Sequence, residues 1–204
     1  MISSRNGLLE GWPLFGMMAV IVAAVALGAT ASGDFENEGA RAAIRATART
    51  SLFLFCLAYA AAALVRFWPN AFTLWVRRNR RQLGVSFAFS HGVHALAIAS
   101  LSVVAPEEFR NEVRLSMLIP GGIGYLFIIA MTATSFDRTA AAIGPRAWRW
   151  LHGFGAFYIW VGFLNGFGSR ALAKPHYWVF VAILIAVMAL RLAAMRRKKI
   201  AAPA

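Results

Sequence analysis

The chain of 204 residues is 60% hydrophobic and only 14% charged, with a mean hydropathy of +0.62. A soluble domain carries nearer a quarter charged residues, so this composition excludes an ordinary soluble enzyme and makes nucleic acid an unsuitable partner despite the net charge of +13. The length allows one domain, 1–204. The single cysteine, Cys56, excludes an intramolecular disulfide, Cys-ligated zinc and a CxxCH haem attachment.

Six apolar segments are long enough to cross a bilayer core of about 30 Å, which takes roughly 20 helical residues. In chain order they are 12–30, 51–68, 83–105, 115–135, 148–166 and 177–195. Prolines, glycines and most of the charges fall between them. The sequence therefore predicts an all-α membrane protein, a bundle of six transmembrane helices surrounded by membrane lipid, with its core at about residues 50–195.

The first segment, 12–30, has two interpretations. Arg5, the apolar run and Ala29-Thr30-Ala31 together resemble a signal peptide with an A-x-A cleavage site. The run is longer than the usual apolar core of about 7–15 residues, which favours a first membrane-spanning helix. Cleavage would leave five helices in the same orientation.

The distribution of charge predicts the orientation. If the N-terminus is cytoplasmic, most of the 21 Lys/Arg fall inside and most of the 8 Asp/Glu fall outside, as the positive-inside rule requires. Arg41, Arg45 and Arg49, placed on the first outer loop, are the exception. We expect a multi-pass protein of a bacterial-type inner membrane with both termini in the cytoplasm.

Histidines are the candidate functional residues, because polar groups at membrane depth are costly and usually functional. His91 and His94 lie in the third segment, His152 near the cytoplasmic end of the fifth, and His176 at the outer edge of the sixth. Neutral imidazole is a common axial ligand of haem iron, and helix bundles hold haem between such side chains. A histidine that only hydrogen-bonds a neighbouring helix is the alternative, and His176 is expected to be interfacial.

The fifth segment places glycines on the same helical face as His152, at Gly155, Gly162 and Gly166. This pattern predicts room for a flat cofactor between the third and fifth helices. Close packing of helices is the alternative explanation for small residues in membrane segments.

Two stretches carry a family resemblance. The first is Arg80-Arg81-Gln82-Leu83-Gly84 with Phe87-Ala88-Phe89 and His94, and the second is Thr132-Ala133-Thr134-Ser135 with Ile143-Gly144 and Trp148-Arg149-Trp150-Leu151-His152. They resemble the R-R-x-L-G…A-F…H and T-S…L-G-x-x-W-x-x-L-H patterns of the ferric reductase-like transmembrane family. Within that family these motifs resemble those of the haem-binding membrane subunits of periplasmic methionine sulfoxide reductase systems. The resemblance covers roughly residues 50–190.

The resemblance implies a b-type haem with His94 and His152 as the axial ligands of its iron. His91, one helical turn from His94, is the competing ligand. The family usually has a further histidine where this chain has Asn165. Since asparagine is a poor ligand for iron, one haem is expected rather than two.

The implied function is transmembrane electron transfer by a membrane subunit of an oxidoreductase. The chain has no dinucleotide fingerprint, so we expect a separate cytoplasmic flavoprotein or membrane quinol as electron donor. A periplasmic reductase, a ferric chelate or oxygen would be the acceptor at the outer face. Two alternatives stay open: a haem-free membrane scaffold or small carrier that kept the fold and lost the redox role, and a protein that binds copper or another metal through His91 and His94.

Overall fold

The computed structural model describes residues 9–33 and 37–200, and all regular structure within them is helical. The prediction of an all-α protein is confirmed for this part of the chain. The α-helices are α1 (Gly11–Ala31), α2 (Asn37–Phe67), α3 (Ala71–Arg78), α4 (Arg80–Val104), α5 (Pro106–Glu112), α6 (Leu115–Ala133), α7 (Asp137–Ala173) and α8 (Trp178–Ile200), and a short 3₁₀ turn (Pro175–Tyr177) precedes α8.

Five helical stretches of the described residues are long and apolar enough to cross a membrane, namely α1, α2, α4, α6 and Pro175–Arg197. They match five of the six predicted segments and indicate a multi-pass membrane protein. The predicted segment 148–166 lies within α7, which does not reach the same hydropathy. His152, Asn165 and several glycines and tryptophans lower its hydropathy, although no Asp, Glu, Lys or Arg lies between Arg149 and Arg170.

Helix α2 begins much earlier than predicted, at Asn37. Arg41, Arg45 and Arg49, which were predicted for the first outer loop, lie in this helix, because the stretch that contains them is rich in alanine and arginine, both strong helix formers. Its first turns are tied together on the surface, since Arg41 Nε lies 3.7 Å and Arg45 Nη2 lies 3.9 Å from the carboxylate of Glu38. The apolar part of α2 therefore continues a helix that starts well before it.

The helices form two compact units. The first contains the chain up to Phe55 together with Arg81–Gly122, and the second contains Cys56–Arg80 together with the chain from Ile123 onward. Helices α2 and α6 each contribute one part to each unit. In the first unit α1 contacts α4 through an edge-to-face pair of Phe15 and Phe89, whose ring centroids are 6.2 Å apart.

In the second unit α7 packs between α6 and α8. Phe127 of α6 contacts the rings of Phe154 and Tyr158 of α7, at centroid distances of 5.5 and 5.3 Å. Further along α7, the indole N–H of Trp160 donates to the carbonyl of Leu184 at 3.0 Å. These contacts fix α7 between its two neighbours along much of its length.

Helix α7 is interrupted at Gly144, where φ is 74° and ψ is 162°. This backbone region is essentially confined to glycine. Pro145 follows and lacks the N–H that would continue the preceding turn. Gly144 and Pro145 lie between the predicted segments 115–135 and 148–166, and the helix direction does break there. The long part of α7 thus starts just before Trp148 and His152.

Gly39 allows the start of α2 to approach the end of α1. A Cβ added at Gly39 would lie 2.5 Å from the carbonyl oxygen of Thr30, a backbone atom that cannot move aside by itself. We expect Gly39→Ala to lower the free energy of unfolding by about 1–3 kcal/mol through this overpacking. Thermal unfolding in detergent, followed by circular dichroism, measures the effect.

Gly92→Ala in α4 is the matched control, because nothing lies within 4 Å of a Cβ at that position. It should leave the unfolding midpoint unchanged or slightly raised, since alanine favours helix over glycine. Equal midpoints for the two variants would contradict the close approach at Gly39.

Candidate functional site: two histidines held by threonines

His94 belongs to a buried polar seam between α2 and α4 in the first unit. Its Nδ1 lies 3.0 Å from Oγ1 of Thr47, and one turn along, the hydroxyls of Ser51 and Ser90 are 2.9 Å apart. The side chains of Thr47, Ser51 and Ser90 are completely buried. The later residue of α2, Ser51, pairs with the earlier residue of α4, Ser90, so the two helices run antiparallel. Each helical turn brings one polar pair together.

The Thr47 hydroxyl settles which nitrogen of His94 carries the proton. Thr47 Oγ1 donates its only proton to the carbonyl oxygen of Ala43, 2.6 Å away on the preceding turn. It must therefore accept a hydrogen bond from Nδ1–H of His94. The neutral imidazole then has its lone pair on Nε2. Metal-ligating histidines are commonly oriented in this way, by a hydrogen bond from the other ring nitrogen.

His91 stacks on His94, with ring centroids 5.2 Å apart and an angle of 30° between the planes. The ring of His91 also contacts the ring of Phe87, with centroids 5.5 Å apart. The structure thus brings the two competing ligand candidates of the sequence into contact. Threonine orients His94, whereas ring stacking holds His91.

Ser86 extends the same seam by one turn toward the start of α4. Its side chain is 1% exposed, and its hydroxyl has no hydrogen-bond partner in the part of the chain that the structure describes. Buried hydroxyls are normally satisfied by protein, water or ligand. A buried polar group without a protein partner, two turns from His94, fits a seam that takes up a bound molecule or water.

His152 lies in the second unit, where Thr134 and Trp148 hold it. Its Nε2 is 3.0 Å from Oγ1 of Thr134. The indole of Trp148 stacks on the imidazole with ring centroids 4.3 Å apart, and its N–H donates to the Thr134 carbonyl at 2.9 Å. One threonine at the end of α6 therefore anchors both aromatic residues of α7.

The proton of Thr134 is also committed to the backbone. Its hydroxyl donates to the carbonyl of Ala130 at 2.7 Å, so Nε2–H of His152 donates to Thr134 and the lone pair lies on Nδ1. The same device occurs in both units: a threonine bonded to its own helix orients a histidine of a neighbouring helix. The two imidazoles differ in which nitrogen keeps its lone pair.

The glycines on this face of α7 allow close helix packing at one position and leave open space at others. A Cβ at Gly155 would lie 3.0 Å from Sδ of Met131 and 3.1 Å from Phe127, so Gly155 permits the close contact of α6 and α7. At Gly162 no atom lies within 4 Å of an added Cβ, and at Gly166 only Arg170 approaches, at 3.9 Å. The prediction of room for a cofactor is therefore wrong at Gly155, where the packing alternative holds.

Sequence reasoning missed the threonines, although Thr134 stands inside a motif it quoted. It also gave no sign that Trp148 stacks on His152. Trp150, two residues before His152, is 64% exposed and stacks on Phe154. His176 lies in the 3₁₀ turn before α8 against Tyr177, with ring centroids 4.6 Å apart. It belongs to neither histidine cluster.

The donors available for a metal ion and the comparisons with known proteins complete the description of the site. Across the residues the structure describes, no three or more His, Cys, Asp or Glu side chains are grouped to hold a metal ion, which leaves a copper site at His91 and His94 with only two donors. Comparisons of the chain with protein-family models, curated proteins and solved structures found no match.

Proposed function

We propose that the chain is a membrane electron-transfer protein that holds one b-type haem, with His94 and His152 as the axial ligands. One observation carries the proposal. Each of these imidazoles donates one N–H to a threonine whose own proton is bound to a backbone carbonyl. In the neutral form, in which histidine ligates iron, each ring therefore keeps its one lone pair on a defined nitrogen. Pairing the two residues on one haem rests on the resemblance alone.

The residues present suit such a group. Neutral imidazoles are the donors that haem iron takes, and the unsatisfied Ser86 hydroxyl offers a further polar contact. A bound haem would supply one-electron redox chemistry. The part of this chain is to orient the ligands through Thr47 and Thr134, to keep water away with apolar helices, and to set the potential through burial. Asn165 argues for one haem rather than two.

A sixth crossing of the membrane, by α7, belongs to the same proposal. Contacts of α7 with α6 pair His152 with Thr134 and Tyr158 with Phe127, so these two helices run antiparallel. Contacts with α8 pair Trp160 with Leu184 and Phe167 with Phe180, so these two are antiparallel as well. A helix that runs beside two membrane-spanning helices in this way supports a crossing, despite its lower hydropathy.

The direction of α2 gives independent support for six crossings. Arg191 of α8 contacts Tyr59 of α2, and Arg197 contacts Phe67. Both helices advance in the same direction between these contacts, so they are parallel. The two helices are parallel if the chain crosses the membrane three times between them, through α4, α6 and α7. If only α4 and α6 crossed, α2 and α8 would be antiparallel. With six crossings the termini share a side, and the positive-inside rule makes that side the cytoplasm of a bacterial-type inner membrane.

The electron donor follows from what the sequence lacks. No dinucleotide fingerprint occurs in the chain, so a separate cytoplasmic flavoprotein or membrane quinol would deliver electrons. The acceptor would lie at the outer face, and a periplasmic reductase is the partner that the resemblance suggests.

The second candidate is a haem-free membrane scaffold or small carrier. It is favoured by the fact that both histidines have hydrogen-bond partners within their own helix pairs, as packing histidines do. It accounts less well for two threonine-oriented imidazoles in separate parts of the fold, since packing needs neither ring in a fixed tautomer.

Electron transfer across a bilayer tests the proposal. In vesicles that contain the haem-supplied protein and trapped ferricyanide, external dithionite should bleach the ferricyanide at least tenfold faster than in protein-free vesicles. His152→Ala should return the rate to background, and His176→Ala should not. Equal rates for the wild type and His152→Ala would contradict electron transfer through this site.

A further inference from the structure

Arg191 is an arginine within a membrane-spanning stretch whose partners are a carbonyl and a ring. It lies inside Pro175–Arg197. Its guanidinium donates to the carbonyl oxygen of Tyr59 on α2 and stacks 3.7 Å above the centre of that tyrosine ring. A cation at membrane depth is costly unless it is paired. Neither of these partners neutralises its charge.

Further arginines come together around the same end of α2. Thr73 donates to the carbonyl of Trp68 at 2.6 Å, and a capping box with Asn70 closes the start of α3. This fixes α3 against the end of α2 and sets Arg77 in its last turn. Arg80 starts α4 and is repelled electrostatically by both Arg77 and Arg191. Arg80 thus lies within electrostatic reach of two further guanidinium groups of the second unit.

No counter-charge from the protein accompanies them. In the described part of the chain, no carboxylate lies within salt-bridge distance of Arg77, Arg80 or Arg191. The entire second unit contains one acidic residue, Asp137. An anion from outside the chain would offset the repulsion that Arg77 and Arg191 exert on Arg80 and would accept charge-assisted hydrogen bonds from them.

The surroundings indicate the source of that anion. Trp68 and Phe72, which flank the start of α3, are 56% and 57% exposed, as aromatic residues are at the level of lipid headgroups. Arg191 sits within a membrane-spanning stretch, at a depth that a lipid phosphate reaches more readily than the surface of a soluble protein. We propose that Arg77, Arg80 and Arg191 bind the phosphate headgroup of an anionic phospholipid. Arg80 also acts electrostatically on His152, so the site lies near a proposed haem ligand and the test is run with and without haem.

The test is the thermal stability of the purified protein in nanodiscs of phosphatidylcholine, with and without phosphatidylglycerol. Phosphatidylglycerol should raise the unfolding midpoint of the wild type by several degrees. Arg77→Gln and Arg191→Gln should each weaken the binding of phosphatidylglycerol about fivefold, as expected for one arginine at a membrane surface. Arg77 is exposed, so its variant remains informative if Arg191→Gln does not fold.

Arg170→Gln is the matched control. Arg170 also donates to a backbone carbonyl, that of Gly166 at 2.9 Å, but it lies outside the arginine cluster and should keep the full response. Three results would overturn the proposal: an unchanged response in the cluster variants, equal stabilisation by inorganic phosphate, and equal stabilisation by a soluble acidic polypeptide. A response that disappears when haem is loaded would also overturn it, because the arginines would then serve the haem propionates.

Discussion

His94→Ala and His152→Ala are each expected to abolish the low-spin b-type haem signal of the purified protein. A haem iron with two imidazole ligands becomes five-coordinate when one is removed, and the sharp band of the reduced low-spin form is lost. The effect should be close to complete, because each imidazole is one of the two axial ligands that the proposal gives to the iron. Reduced-minus-oxidised spectra and the haem content per chain are the measurements.

His91→Ala and His176→Ala are the controls for this expectation. His176 belongs to neither cluster, so its variant should retain the wild-type spectrum. His91 stacks on His94 and is not one of the two proposed ligands, so we expect its variant to keep a six-coordinate haem with a modest shift of the band. Loss of the signal in His91→Ala with retention in His94→Ala would reverse the assignment and make His91 the ligand.

Thr47→Val is expected to weaken haem retention about 10- to 100-fold, the usual effect of removing the partner of a metal-bound histidine. Valine keeps the shape of threonine but cannot accept the hydrogen bond from Nδ1–H of His94. The ring then loses both its orientation and the preference for the tautomer with a lone pair on Nε2. Haem transfer to apomyoglobin measures retention, and a redox titration of the remaining haem measures the potential.

Thr47→Ser is the rescue variant, because it restores the hydroxyl while omitting the methyl group. It should recover most of the retention and the wild-type potential, a result that a merely structural role of Thr47 would not require. Thr134→Val should act in the same way through His152. Wild-type retention and potential in both valine variants would contradict the role of the threonines.

Most of the fold could be predicted from composition, and the exceptions have local causes. Apolar runs predicted α1, α4, α6 and α8 closely, since the length of a run determines whether it can cross a bilayer. The start of α2 was missed because its arginines suggested a loop, although alternation with alanine favours helix. For α7 the predicted apolar segment 148–166 has a lower mean hydropathy than the other five, because His152, Asn165 and several glycines and tryptophans interrupt its apolar residues.

The histidines of the site could be predicted, but their partners could not. Spacing along one helix determines which residues share a face, and it placed His91 and His94 together. It does not determine which residue of another helix meets that face. The bond from His94 to Thr47 depends on the register of α2 against α4, and that of His152 to Thr134 depends on the α6–α7 turn. Three-dimensional packing was required to identify both threonines and the stacking of Trp148.

The haem content of the wild-type protein tests the central claim most directly. The protein is produced with an adequate supply of haem, purified in detergent and analysed by the pyridine haemochrome assay together with the dithionite-reduced minus oxidised spectrum. The account predicts about one b-type haem per chain, with a sharp low-spin band. Folded protein without haem would contradict it, and about two haems per chain would contradict the expectation drawn from Asn165.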